Sequence, residues 1–219
     1  KDRERLARII GVIDQRLPVE DLQIVATVTE PVILAETAAY TVTAVRWPVL
    51  PGVEGEGLLL QPKKEPIAHV IAVPDADWSP EAVAGLDAAV PHRAQFARRL
   101  AEYGCQVVVP TLIDRDCRWS GNPGIRMTNQ PHREFVYRMA YQMGRHVIGY
   151  EVQKILSLVD LFSNRQQSPI ILFGYGEGGM LALYSTALDE RISGVGVSGY
   201  FANRYDMWKE PIYRNVWQQ

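Results

Sequence analysis

What this sequence lacks narrows it first. It carries two cysteines, Cys105 and Cys117, in 219 residues. Two are too few for a disulfide framework or a zinc pattern. Cys105 opens an apolar run and reads as a small core residue. Cys117 lies in a polar loop, and the sequence leaves a bridge between the two open. No apolar run nears the roughly 20 residues that span a bilayer, so no membrane span is expected. Neither sign of charge dominates: the net charge is −2 with 22% charged residues. That balance gives no electrostatic footprint for nucleic acid or an anionic membrane. Histidine is scarce, and His69, His92, His132 and His146 all lie before residue 168. There is no internal repeat, low-complexity segment or linker. The chain begins with Lys1 rather than Met, which leaves an upstream segment and the compartment open.

What is present suffices for one large domain, with 47% hydrophobic residues. Residues 1–17 place Leu6, Ile9, Ile10 and Ile13 at helical spacing among charges, and Pro18 ends the pattern. Residues 1–20 are therefore read as an N-terminal amphipathic helix and 21–219 as the main domain. Residues 22–34 and 39–47 are rich in Val, Ile, Thr and Tyr and read as strands. Gly55–Gln61 supplies the second arm of an antiparallel pair. The continuous apolar run Ala68–Val73 predicts a strand covered on both faces, as in a parallel sheet, Cys105–Val109 and Ile170–Phe173 read as buried strands, and Ile192–Val197 gives one more strand. Ser79-Pro80 starts a helix, and Gly104 closes the second of two helical pieces separated at Pro91. A long polar loop, Pro110–Pro131, is followed by helical pattern over His132–Phe162, with an interruption near Gly144. Alternating strands and helices predict a mainly parallel sheet with helices on both faces and antiparallel strands at its N-terminal side. Ligands of such sheets sit beyond the strands' carboxyl ends. There Pro74–Ser79, Thr111–Asn129 and Gly174–Gly178 should converge, joined by the segment after Val197.

The chain is organised around Ser168–Ala187. An apolar strand runs into Gly174-Tyr175-Gly176-Glu177-Gly178-Gly179 and then into a helix starting at Met180. Strand, glycine-rich sharp turn and helix form the context of a nucleophile elbow, G-x-S-x-G. Here Gly176 stands where the serine or cysteine would be. A glycine has no side chain to attack a carbonyl.

On the segments GYGEGGMLALYSTALDERI, HREFVYRMAYQMGRHVIGYEVQKIL and VSGYF, the chain resembles an α/β-hydrolase over roughly residues 40–217. More narrowly, it resembles the bacterial dienelactone-hydrolase and acetyl-xylan-esterase-like branch. The resemblance implies the α/β-hydrolase fold, with the sheet about two strands short at its C-terminal side. It also implies a carboxylic-ester hydrolase acting on a small-molecule or carbohydrate ester, such as an acetylated sugar. The family's nucleophile position falls on Gly176, and no histidine follows it in the chain. The other reading is a catalytically silent member that keeps its pocket for binding or assembly. No cofactor is expected. A homo-oligomer is compatible with the sequence.

Several residues remain as candidates. The amides of Glu177 and Gly178, at a helix N-terminus, could bind an anion or oxyanion. Glu177 reads either as a base activating water or as a first-turn acid matched to the helix dipole. Asp75 and Asp77 follow a buried strand and read as ligand contacts or as turn formers; no nearby His or Cys completes a metal set. Asp114, Arg115 and Trp119 sit in the polar loop, with Asp116 and Arg118 between them. They read as a pocket wall, with an arginine for a carboxylate and an aromatic for a sugar ring, or as a loop tied by its own ion pairs. His132 is the best-placed histidine for a base, at the start of a helix near the loop edge. His69 and His146 read as structural.

Overall fold

The computed structural model describes residues 1–27, 31–118, 130–165 and 168–214. Its frame is one eight-stranded sheet in the order β1-β3-β4-β6-β5-β7-β8, with β2 also on β3. The strands β1 (Gln23–Ile24) and β2 (Ala35–Glu36) pair antiparallel with the long β3 (Tyr40–Leu50). Among the described residues of the strand expected over 22–34, only Gln23–Ile24 forms a strand, because Ile24 and Val25 are exposed and gain little from the core. A tight turn at Gly52, where φ is 76°, folds β3 back onto β4 (Val53–Pro62). β4 in turn pairs antiparallel with β6 (Gln106–Pro110). From there the sheet is parallel: β6, β5 (His69–Val73), β7 (Ile170–Tyr175) and β8 (Ile192–Ser198) lie side by side.

The two faces of the sheet divide the core by the alternation of strand residues. Val70, Ala72, Val107 and Val109 point to one face, where they pack with α2 (Pro80–Ala84) and α3 (Phe96–Glu102). Ile71, Val73 and Val108 point to the other, under α5 (Val147–Asn164) and α6 (Glu177–Leu188). Burial on both faces is why these strands are continuous apolar runs rather than alternating ones. Caps set the helix ends. The Ser79 hydroxyl accepts the Ala82 amide at 3.1 Å and Gly85 closes α2 at φ 76°. The predicted long helix is two, α4 (His132–Gln142) and α5, broken at Gly144. His146 caps α5, its Nδ1 accepting the Ile148 amide at 3.0 Å. His69 is buried, stacked on Phe162 and bonded through Nδ1 to Gln106 Oε1 at 2.7 Å. Both histidines are structural groups of the core.

The N-terminal helix α1 (Asp2–Ile9) is shorter than its pattern. It stops at Gly11, with φ 77°, because the chain there turns against α5: a Cβ on Gly149 would lie 2.3 Å from the Ile10 carbonyl oxygen. Ile10 is fully buried in the main core, and Arg145 holds Asp14 through two bonds of 2.6 and 2.9 Å. Cys105 is buried and Cys117 exposed, both free, so the bridge the sequence left open does not form. Among the described residues no helix is long and apolar enough to cross a membrane.

The close contact at Gly149 gives a test. Gly149→Val is expected to push α1 off α5 and to cost about 1–3 kcal/mol, the usual range for overpacking. Urea unfolding measures the loss, and Gly194→Ala, whose added Cβ meets nothing within 4 Å, should leave the tertiary packing unchanged.

Candidate active site

The sharp turn predicted after β7 is there, and its geometry explains its glycines. Gly176 sits between β7 and α6 with φ 58° and ψ −123°, a backbone state that costs an L side chain of order 1–3 kcal/mol. A Cβ on Gly174 would lie 2.1 Å from the Gly178 carbonyl oxygen, and one on Gly178 2.2 Å from that of Pro74. Strand and helix can approach this closely only without side chains at those two positions. The turn is fixed by the Gly176 amide donating to the Ser198 carbonyl at 2.9 Å.

The apex differs. A Cβ on Gly176 would lie 2.7 Å from Asp75 Oδ1 and 2.8 Å from its Cγ. The Asp75 carboxylate, arriving from the loop after β5, fills the space into which a nucleophile's side chain would project. Its Oδ1 also accepts the Glu177 amide at 2.9 Å. That N–H, of the residue after the apex, is the one an elbow offers to an oxyanion.

A charged network closes over this pair. Arg115 forks onto Asp75, with Nη2 to Oδ1 at 3.1 Å and Nη1 to Oδ2 at 3.2 Å. It also donates to Asp77 Oδ2 and Glu177 Oε2, both at 2.6 Å. From beneath, Arg133 donates through Nε to Glu177 Oε1 at 2.7 Å and through Nη1 to the Ile113 carbonyl at 2.9 Å and Glu151 Oε1 at 3.2 Å. Glu151 accepts the Ile113 amide at 2.7 Å and the Lys154 ammonium at 2.8 Å. Glu177, Glu151 and Arg133 have no solvent exposure. Tyr213, the one buried residue of the helical turn Ile212–Arg214, lies within the field of Arg115, Glu177 and Arg133.

The electrostatics follow from this packing. Burial pushes the Asp75 carboxyl up, but the Arg115 bonds and the Glu177 amide outweigh it and hold it below the ordinary 3.8. Burial likewise pushes Glu151 up, and Lys154, Arg133 and the Ile113 amide bring it below its ordinary value. Arg115 is raised: burial opposes its charge, and its bond to Asp75 and the charges of Glu177, Asp75 and Asp77 prevail. Burial and the charge of Glu177 favour a neutral Tyr213 phenol.

Of the candidates in the sequence, Asp75, Asp77, Arg115, Gly176, Glu177 and Gly178 meet at this one point. Asp114 and His132 do not join them. They face each other, with Asp114 Oδ1 and His132 Nδ1 3.8 Å apart. Their shallow groove of about 310 Å³ also takes in Glu54, Glu56 and Lys154. It is the next residue, Arg133, that reaches the turn. Asp116 and Arg118 pair with each other, as the ion-pair reading of that loop expects. Trp119 lies outside the described residues. No cluster of His, Cys, Asp and Glu able to hold a metal ion occurs among the described residues. Sequence reading passed over Arg133, Glu151, Lys154 and Tyr213. Glu151 had left a signal: with Ile148, Val152 and Ile155 it sits on the apolar stripe of its helix, where an unpaired charge would be costly.

No protein-family model and no curated protein matches the chain. Solved structures do. A Bacteroides fragilis protein named as a candidate acetyl xylan esterase superposes with a TM-score of 0.60 at 14% identity, over 88% of this chain and 50% of its own. Acetyl xylan esterase 1 from Thermoanaerobacterium sp. gives 0.57 at 12%, over 95% of this chain and 62% of its own. An acetyl xylan esterase from Paenibacillus sp. gives 0.50 at 13%, over 89% and 55%. The chain therefore shares the α/β-hydrolase fold of these structures. The chain spans about half to three-fifths of the length of these three.

Two outcomes follow from the network. Arg133→Met leaves Glu177 and Glu151 short of a partner in the interior, and about 3–5 kcal/mol of stability should be lost in urea unfolding. The second is a pH effect. Asp75 has a folded-state pKa below its unfolded one, so its contribution is complete above the unfolded value. It is lost as pH falls through the lower, folded value. Asp75→Asn should flatten the fall of the melting temperature below about pH 4, measured beside the wild type.

Proposed function

We propose that this chain is an α/β-hydrolase-fold protein of the esterase-like branch that forms no acyl-enzyme and serves in binding or assembly. The observation that carries the reading is the double occupancy by Asp75. One carboxylate takes both the volume of a nucleophile's side chain at Gly176 and the Glu177 amide that would stabilise an oxyanion. An acyl transfer needs a nucleophile and an open donor for the developing charge. A substrate carbonyl approaching this corner would meet an ionised Asp75 and an exposed Asp77 instead.

The second reading is ester hydrolysis without a covalent step, with Glu177 activating water, on an acetylated sugar as the names of the similar structures suggest. The retained elbow favours it. The state of Glu177 counts against it: both oxygens are held by arginines and the side chain meets no solvent. A base must reach the proton it removes, directly or through one water.

Short acyl esters, including acetylated xylose, distinguish the readings. The wild type is expected to show neither turnover nor a burst, and Gly176→Ser alone should gain no acyl adduct by intact-mass spectrometry, because Asp75 still fills the site. Turnover by the wild type that Glu177→Gln abolishes, with the fold kept by circular dichroism, would reverse the assignment.

A further inference from the structure

A crevice away from the elbow forms where two turns meet. α1 stops at Gly11 and α4 at Gly144, both with positive φ. The first turn packs on the chain after the second, backbone to backbone: a Cβ on Gly11 would lie 2.5 Å from the His146 nitrogen. The last turn of α1 therefore stands across from the C-terminal half of α4, and a crevice of about 120 Å³ remains between them. Tyr137 and Tyr141, four residues apart on one face of α4, line it opposite Arg8 and Ile9. Its size is close to that of the cavity of roughly 150 Å³ that takes a benzene ring.

The polar groups around the crevice differ in what they hold. Arg145 donates to Asp14 at 2.6 and 2.9 Å. Arg138 lines an adjoining groove of about 360 Å³ that shares both tyrosines, and it donates to Glu134 at 2.7 and 3.0 Å. Arg8, in the last turn of α1, has no hydrogen-bond or ion-pair partner among the described residues. Neither does the Tyr137 hydroxyl, although that residue is only 4% exposed. Buried hydroxyls normally find a partner, and burial pushes the pKa of this phenol up, so that it stays a donor. Its ring is held edge-on to His146, with centroids 4.8 Å apart, and tilted against Tyr141 at 5.7 Å. Among the described residues no Asp or Glu lines the crevice or the groove.

We infer that this crevice binds a small aromatic carboxylate of the size of benzoate. The ring lies against Tyr137 and Tyr141, and the carboxylate takes the Arg8 guanidinium and the Tyr137 hydroxyl. Each part of the ligand answers one feature of the protein. Two tyrosine walls at ring spacing favour a flat aromatic group, by offset or edge-to-face contact. An unpaired guanidinium favours a carboxylate, which it binds by charge-assisted hydrogen bonds. An unpaired phenol needs an acceptor, and a carboxylate is acceptor only. The site shares no residue with the charged network at the elbow, and it stands whether or not the elbow hydrolyses an ester.

Calorimetric titration of the full protein with sodium benzoate tests the inference. The expected dissociation constant is on the order of 1 mM, in keeping with so small a ligand, and it should rise with added salt. Benzyl alcohol keeps the ring without the charge, and acetate keeps the charge without the ring; each should bind about tenfold more weakly or worse. Arg8→Met, and Tyr137→Phe, which keeps the ring, should each weaken benzoate about tenfold, as expected for a lost hydrogen bond to a charged group, with the circular dichroism spectrum kept. Arg93→Met, in the exposed helical turn His92–Ala94, should leave binding as it was. No binding at about 10 mM benzoate overturns the inference. So does acetate or benzyl alcohol binding as well as benzoate, or benzoate binding that survives both Arg8→Met and Tyr137→Phe, which would place the ligand elsewhere.

Discussion

The arrangement depends on one arginine fork. Arg115 holds Asp75 with both of its terminal nitrogens while also binding Asp77 and Glu177. Bidentate guanidinium–carboxylate pairs are the strongest hydrogen-bonded contacts side chains make. Through this fork the loop after β5 and the loop after β6 are fastened to the start of α6. One layer deeper, Arg133 links Glu177 and Glu151 through one bond to each. Carboxylates so deep in a protein survive only when charge and hydrogen bonds replace lost water. Here backbone amides of Ile113 and Glu177 supply part of that replacement.

The elbow is built on close approach of backbones. Gly174 and Gly178 are still demanded by the near contact of strand and helix. The apex, Gly176, has a strained dihedral pair, φ 58° and ψ −123°. Glycine relieves that strain, since it lacks the Cβ that makes such a conformation costly. Asp75 fills the volume beside Gly176 and takes the Glu177 amide together.

Much of the frame could be read from the chain. Continuous apolar runs marked the doubly covered strands, and Ser79-Pro80, Gly104 and Gly144 marked helix boundaries, because caps and breaks are local effects of backbone chemistry. The convergence of Asp75, Arg115 and Glu177 at one sheet edge followed from strand order. The failures were also physical. The strand over 22–34 had the composition of a strand but no burial to reward it, and only Gln23–Ile24 pairs there. The helix 1–17 carried its pattern beyond Ile9, but contact between Gly11 and α5 turned the chain first. His132 sat at a promising helix start, yet the helix aimed Arg133 inward and left His132 beside Asp114.

By itself the sequence determined the layered α/β frame, the elbow, and the absence of a nucleophilic side chain at its apex. Periodicity, glycine spacing and residue identity are properties of the chain alone. Only the tertiary structure decided what occupies the apex and which charges neutralise one another. Asp75, Arg115, Arg133, Glu151 and Glu177 lie up to about a hundred residues apart, and their contacts arise from the order in which strands lie side by side.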